Sequence, residues 1–566
     1  MATDTVGTSA SAAKAVLVTL AAAQFVMILD ASVMNVSIAT VASDVGTTVT
    51  GIQTAITMYT LVMAALMITG GKMGAILGRK RAFTIGCVIY ACGSLTTAIS
   101  PNLAVLMFGW SFLEGVGAAL VMPAIVALVA SNFGRADRPR AYGIVMAGGA
   151  IAVAVGPLIG GLFTTYWSWR YVFVGEVLII GVVLLLNRRT ADTPKEEGAR
   201  LDLVGTALSA LGLGLVVYGI LRSGTWGIVQ PKPDAPTWLG LSPVIWLILG
   251  GGAVLFAFLT WERHRRDTGQ AALLDPAILR VPLLRSGVTA FFFQYLLQAG
   301  LFFAVPLFLS IALGLSAIDT GLRILPLSIT LVIAAVGVPK VFPRASPRRV
   351  SQLGFLMLFV ALIVFIALLD EGAGPEIVTW PMLLAGLGIG MLASQLGAVT
   401  VSSVPDEQSG EVGGIQNTAS NLGLSIGTAL AGAVLISALS SSFFAGIAGN
   451  PAVPKDLTSK AQTELTSGVP FISDADLDQA LDDAGVSQSA STAIVDENAD
   501  ARIDALRASL AVLAALALLA LFFSRGLPTT PAAASGEIEP TDGASRSAPP
   551  LPNAVEIDED SWSGGR

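Results

Sequence analysis

Three carboxylic acids, Asp30, Glu114 and Glu176, lie in long apolar runs of the chain. A charge at the centre of a membrane span costs about 2.5–3.5 kcal/mol on insertion scales, so each acid needs a partner, a proton or a task. Asp30 sits in Leu29-Asp30-Ala31-Ser32-Val33-Met34-Asn35-Val36. It is either a helix-interface residue satisfied by Ser32 and Asn35 or a proton- or substrate-binding group. Glu114 follows Trp110-Ser111-Phe112-Leu113 and precedes the small residues Gly115, Gly117, Ala118 and Ala119, which permit close helix approach. No cation lies beside it in sequence, and burial disfavours the charged form of a carboxyl. Glu114 therefore suits either proton loading and release or a permanently protonated donor. Glu176 follows Trp169-Arg170-Tyr171-Val172-Phe173-Val174-Gly175. Arg170 is too far along the helix for an i,i+4 pair with it.

These acids need membrane helices to position them. Of the 566 residues, 54% are hydrophobic and 13% charged, and mean hydropathy is +0.75. Soluble domains carry about 25% charge. Candidate spans of about 20 apolar residues fall near 15–38, 51–71, 82–99, 103–129, 141–164, 171–187, 202–221, 241–261, 286–312, 321–340, 351–369, 380–404, 412–446 and 503–524. The first carries Asp30 and is too long for a signal-peptide core, so it reads as a retained helix. Lipid-exposed backbone must bond internally, and unbroken apolar runs exclude an alternating barrel. The expected class is an all-α polytopic membrane protein of about fourteen spans.

Basic residues cluster after the even-numbered spans: Lys72, Arg79, Lys80 and Arg81; Arg135, Arg138 and Arg140; Arg188, Arg189, Lys195 and Arg200; Arg263, Arg265, Arg266, Arg280 and Arg285; Lys340, Arg344, Arg348 and Arg349. The positive-inside rule then places both termini in the cytoplasm. The loop 405–411 has no basic residue, and the rule does not account for it. The net charge of −7 arises largely from acidic segments at 449–501 and 536–560. The first reads as a solvated external loop with a small helix at Ala475–Leu481, or as an external binding or gating element. The segment 526–566, rich in Pro, Ala, Ser, Gly and acids, reads as a disordered tail.

Other chemistries find little support. Cys87 and Cys92 point to different faces of one helix, and the single histidine, His264, lies in the basic run Arg263–Arg266. Neither a disulfide nor a zinc site is expected. No basic domain with interleaved aromatics suggests nucleic-acid binding, and no phosphate-cradling Gly-rich Lys-Ser/Thr loop suggests ATP-driven pumping. No catalytic triad or metal cluster marks an enzyme, and no cofactor is expected.

Glycine runs suggest moving parts. Gly71-Lys72-Met73-Gly74-Ala75-Ile76-Leu77-Gly78-Arg79-Lys80-Arg81 joins spans 2 and 3. Gly148-Gly149-Ala150 and Gly156-Pro157-Leu158-Ile159-Gly160-Gly161 soften span 5, and Asn421-Leu422-Gly423-Leu424-Ser425-Ile426-Gly427 repeats small-residue spacing in span 13. Such runs serve either plain close packing or rocking between states.

Over residues 15–525 the chain resembles the major facilitator superfamily, in its fourteen-span drug:proton antiporter group. Gly71–Arg81 resembles the superfamily's span 2–3 loop motif. Leu29-Asp30 with Asn35-Val36 resembles the group's span-1 motif. Gly156-Pro157 with Gly160-Gly161 resembles the exporter motif of span 5, and Trp169-Arg170 with Phe173 resembles the start of span 6. Two departures stand out. The loop motif's usual acid is Ala75 here, and the span-4 motif's usual Arg and Gln are Ser111 and Glu114. In the family those charges are thought to help set the cytoplasmic gate and proton coupling, which makes Glu114 the expected proton carrier of this variant.

The resemblance implies two six-helix bundles, at 15–190 and 286–525, with two inserted helices and linkers at 191–285, after a short cytoplasmic N-terminus at 1–14. Asp30, Asn35, Glu114 and Glu176 are the expected proton or substrate groups. Gly71, Gly74, Gly78, Arg79, Lys80, Gly156, Pro157, Gly160 and Gly161 are the expected conformational elements. Phe292, Gln294, Tyr295, Gln298, Gln395, Asn417 and Asn421 are pocket candidates near the midplane. The expected activity is export of small hydrophobic or cationic compounds from the cell by proton antiport, as a monomer in the plasma membrane. A charge crossing 100 mV supplies about 2.3 kcal/mol, a gradient of roughly forty-fold. Export of an endogenous metabolite or lipid shares every one of these features. A non-transporting receptor would instead tolerate loss of Asp30 and Glu114.

Overall fold

The computed structural model describes residues 10–47, 49–134, 137–188, 190, 192, 200–232, 235–370, 372–405, 408–464, 469 and 471–530. Residues 1–9 of the N-terminus and the tail beyond 530 lie outside that set. So do the side chains of Asn35 and Pro157.

The first bundle contains α1 (Ala10–Asp44), α2 (Val49–Leu77), α3 (Arg79–Ala98), α4 (Leu103–Asn132), α5 (Arg138–Tyr166) and α6 (Arg170–Asn187). The inserted pair follows as α7 (Leu203–Trp226) and α8 (Pro243–Asp267). The second bundle contains α9 (Pro282–Ala312), α10 (Ala317–Val341), α11 (Pro347–Leu368), α12 (Thr379–Val401) and α13 (Ser409–Gly449). Two short helices, α14 (Lys455–Glu464) and α15 (Asp474–Asp483), lead to the last long helix, α16 (Gln488–Phe523).

Thirteen helices among the described residues are long and apolar enough to cross a membrane. The remaining long helix, α3, is too polar for that count: it opens on Arg79-Lys80-Arg81 and carries Ser94, Thr96 and Thr97. Its inward face contains Tyr90, Ser94 and Thr97, all buried, which explains its low apolarity. The expected fourteen spans thus comprise thirteen apolar helices and one that lends a polar face to a site.

The segment 449–501 is more helical than a plain solvated loop, although α15 has no buried residue. At about 1.5 Å per residue, the 41 residues of α13 and the 36 of α16 are far longer than a bilayer core of about 30 Å. Both continue beyond it and pack with α14 and α15. Val453 and Val469 are buried there, Arg502 donates to the Ile472 carbonyl and pairs with Asp474, and Asn450 donates to Glu497. The expected small helix is present as α15.

One apolar core fills the first bundle and runs on into Ala398, Val401, Val412 and Ile415 of the second, and another fills the rest of the second bundle. Across the bundles α5 packs on α10 and α12, and α2 packs on α13; the α7–α8 pair leans on both α2 and α13. Two approaches are backbone-close. A Cβ added at Gly143 would lie 2.5 Å from the Ala335 carbonyl, and one at Gly71 would lie 2.5 Å from the Gly410 carbonyl. Both contacts are at the end of the molecule that carries the basic loops. The end of the last span is there too, since Arg348 bonds the carbonyls of Leu527 and Pro528.

Within the first bundle, α1 and α5 form a long seam. Gly148 faces the Ala21 carbonyl, Gly156 faces Ser32 and Gly160 faces Val33. Overpacking a close contact costs about 1–3 kcal/mol. Gly148→Val should therefore lower the unfolding midpoint of the detergent-purified protein by several degrees. Gly175→Val, where a Cβ meets nothing within 4 Å, should leave it nearly unchanged. Equal midpoints for the two variants would show that the seam is not tightly packed.

Candidate functional site

The three acids converge. Asp30 comes from α1, Glu114 from α4 and Glu176 from α6, yet their ligand oxygens all lie within 4.8 Å of one another. Each residue is at most 1% exposed. The local cause in α4 is a π-helical stretch, Met107–Glu114. The wider turn aims Trp110, Ser111 and Glu114 inward and leaves Phe108 and Phe112 about half exposed. Such stretches are frequent at functional sites. Gly93 on α3 makes room, because a Cβ there would lie 2.6 Å from Glu114 Cγ.

Neutral donors surround the carboxyls. Trp110 Nε1 donates to Asp30 Oδ1 at 2.5 Å, Thr97 Oγ1 to Glu114 Oε1 at 3.2 Å, and Ser94 Oγ and Tyr90 OH to Glu176 Oε2 at 3.2 and 3.4 Å. Tyr59 of α2 stacks on Trp110 with ring centroids 5.2 Å apart. Among the described residues no Lys, Arg or His pairs with any of the three acids. Ser111 instead ties α4 to α2 through the Ala55 carbonyl at 2.7 Å. Arg170 does not reach Glu176; it pairs with Asp44 at 2.6 Å and bonds the Ser100 carbonyl, closing the opposite end of the bundle. Three carboxylates this close cannot all be charged without a counter-ion. The arrangement can take up and release protons.

A second feature lies on the other side of α1. A cleft of about 420 Å³, counted with its open side, runs between the bundles. Gln294, Tyr295 and Gln298 of α9 line it, facing Ile28 of α1 and Met146 and Gly149 of α5. Its lining mixes apolar side chains with the polar Gln294, Tyr295 and Gln298. Ile28 precedes Asp30 by two residues on the same helix, so α1 separates the cleft from the acids. The other pocket candidates sit elsewhere. Phe292 packs on Phe293, Gln395 donates to Ser394, and Asn417 bonds the Gly413 carbonyl. Asn421 donates to the Asn417 carbonyl and contacts Met67 Sδ at 3.6 Å across the bundles.

The glycine-and-basic loop joins the two bundles at its end of the molecule. Lys72 pairs with Glu411 of α13 at 3.1 Å, and Glu411 also accepts from the Asp275 backbone N–H in the α8–α9 connection. Gly78 adopts φ 97°, a left-handed conformation that suits glycine. Arg79 donates to the Ala127 carbonyl of α4, and Lys80 to the carbonyls of Arg188 and Thr190. Ala75 borders a narrow gap between α2, α4 and α13. Gly74 is not sterically required, since a Cβ there approaches nothing closer than Arg79 Cγ at 4.0 Å. Gly156 and Gly160 belong to the α1–α5 seam, and Gly161 is buried on the same helix.

Sequence reading missed Glu411, Tyr59, Tyr90 and the aliphatic half of the cleft. Glu411 lies in a stretch with no basic residue, which was the one visible irregularity in the charge pattern. The tyrosines gave no signal, because an aromatic in a span is ordinary.

An all-helical pair of six-helix bundles, with buried acids beside a central cleft, defines a polytopic membrane transporter. The chain belongs to the Major Facilitator Superfamily, whose pattern matches residues 20–428. Among curated proteins, it is 28% identical to the probable actinorhodin transporter of Streptomyces coelicolor, covering 79% of this chain and 75% of that protein. It is 27% identical to the multidrug resistance protein Stp of Mycobacterium tuberculosis, covering 74% of each. It is 28% identical to the puromycin resistance protein pur8 of Streptomyces alboniger, covering 78% of this chain and 85% of that protein. Among solved structures, the proton:xylose symporter XylE matches with TM-score 0.55 at 12% identity, covering 93% of this chain and 100% of that chain. The human organic anion transporter MFSD10 matches with TM-score 0.54 at 12% identity, covering 90% and 99%. These two share the fold.

The Lys72–Glu411 pair bridges the bundles where their backbones touch. Reversing either charge alone, as Lys72→Glu or Glu411→Lys, should slow transport about tenfold, and the double reversal should recover most of the loss, as coupled residues do. Initial rates in membrane vesicles would check this. Additive losses in the double variant would show that the two charges act independently.

Proposed function

We propose that this chain exports small hydrophobic or cationic compounds across the plasma membrane by proton antiport, with both termini in the cytoplasm. The basic-loop end, where the bundles touch, is then the cytoplasmic gate, held by Lys72, Glu411 and the Gly71–Gly410 approach. The reading rests above all on three buried carboxyls without a cationic partner among the described residues. Such a cluster changes charge by taking or losing a proton, and its charge biases how readily its helices can be exposed to either side.

The cycle follows from that. Protons arriving from outside neutralise the cluster, and Glu114, which accepts from Thr97, is the carrier. Substrate binds in the cleft against Gln294, Tyr295 and Gln298. Helix α1 touches both features, so a shift of α1 along its glycine seam with α5 links protonation to substrate access. The substrate class is supported by the relatives, whose names refer to actinorhodin, puromycin and multidrug resistance.

The decisive experiment is uptake into inverted membrane vesicles under an imposed pH gradient, acidic inside, screened over cationic and neutral aromatic compounds and lipids. Wild-type protein should accumulate a hydrophobic compound, and collapse of the gradient should release it. Glu114→Gln should lose about tenfold or more of gradient-driven uptake while retaining downhill exchange. A Glu114→Gln protein that accumulates substrate at the wild-type rate would remove Glu114 from coupling. Gradient-dependent uptake of lipids alone would redirect the substrate assignment.

A further inference from the structure

The acid cluster has more unused oxygens than proton binding needs. Asp30 Oδ2, Glu114 Oε2 and Glu176 Oε1 are buried and make no hydrogen bond. A fourth unpartnered oxygen comes from outside the acids. The Tyr59 hydroxyl of α2 is buried, with the residue 4% exposed, lacks a hydrogen-bond partner and faces Asp30.

The donor set is oxygen only, which selects a hard cation. The acids' oxygens lie within 4.8 Å of one another. That is close enough for one oxygen-ligated cation to contact all three. Mg²⁺ prefers about 2.0–2.1 Å and keeps several waters, which a buried site walled by Trp110, Tyr59 and Tyr90 does not favour. Charge selects between the remaining ions. With two protons on the triad, a single positive charge neutralises the remaining carboxylate, whereas Ca²⁺ requires a second carboxyl to lose its proton in an apolar interior.

We propose that Asp30, Glu114 and Glu176, with the Tyr59 hydroxyl, bind Na⁺ in exchange for a proton, so that Na⁺ can replace H⁺ as the coupling ion. The inference rests on the reading of this cluster as the proton-exchanging site. The titratable groups facing it are the three acids themselves, Tyr59 on α2 and Tyr90 on α3; no Lys, Arg or His does so among the described residues. Na⁺ and H⁺ therefore compete directly.

The test uses the full-length protein purified in detergent, with NaCl exchanged against choline chloride at constant ionic strength. Trp110 is a built-in reporter, since it donates to Asp30 and stacks on Tyr59. A saturable, Na⁺-specific change in tryptophan fluorescence is expected, with a Na⁺-dependent rise in the unfolding midpoint. Exchange against one proton should weaken apparent Na⁺ affinity by about tenfold per pH unit of acidification at acidic pH, as reciprocal linkage requires. Glu114→Gln, Asp30→Asn and Glu176→Gln should each weaken it at least about tenfold, and Trp110→Phe should silence the fluorescence but keep the thermal shift. The wild-type pH dependence needs no variant and so survives a variant that fails to fold. Absence of any Na⁺-specific effect from mildly acidic to mildly alkaline pH overturns the proposal, as does a response to Ca²⁺ alone. Proton-driven uptake persisting without Na⁺ binding sinks only the cation site. Na⁺ binding without proton-driven uptake keeps the site and sinks the antiport reading.

Discussion

Carboxylic acids placed in the interior of a membrane bundle need compensation, and this fold compensates three at once without a basic side chain among the described residues. Asp30, Glu114 and Glu176 share a space small enough that their charges interact strongly, ringed by Trp110, Ser94, Thr97 and Tyr90 as neutral donors. Much of the first bundle's detail is explained by that demand. The π-helical stretch of α4 turns Trp110 and Glu114 inward, Gly93 clears the space beside Glu114, and α3 gives up apolarity to supply hydroxyls. Three carboxyls so close cannot all be charged without a counter-ion, so the cluster's charge is tied to what it binds.

The rest of the molecule joins this bundle to a second one. Small residues at the seams let backbones approach without interlocking side chains. At the basic-loop end the contact between bundles is backbone-close and reinforced by Lys72–Glu411. The acid expected in the span 2–3 loop is Ala75, with a narrow gap beside it, and the inter-bundle ion pair is made by Lys72 and Glu411 nearby. Glu411 also holds the backbone of Asp275. The α8–α9 connection is thereby tied to the same contact, which gives the inserted pair a structural link to the two bundles.

Much of this was legible in the order of residues. Spans are legible because lipid demands long runs of apolar helix, and orientation of the loops is legible because Lys and Arg gather on one side. The individual acids were visible because charge in such a run is rare. The span of α3 was located although its composition is too polar for a simple apolar criterion, and around 449–501 the small helix was expected but the extension of α13 and α16 beside it was not. There the polar composition resembles a solvated loop, and only the packing of Val453, Val469 and Arg502 against neighbouring helices distinguishes the two.

What the sequence by itself determined is a polytopic helical membrane protein of the Major Facilitator Superfamily with three anomalous acids. Only the tertiary structure decided that those acids are one site. They are separated by 84 and 62 residues in the chain, and nothing local records that α1, α4 and α6 meet. The same holds for Glu411 and Lys72, and for the cleft that gathers Gln294, Tyr295 and Gln298 but leaves Phe292, Gln395, Asn417 and Asn421 outside. Periodicity and charge report which way a helix faces and how deep it lies. Which helices become neighbours depends on side-chain packing across the bundle, and that is a property of the folded chain as a whole.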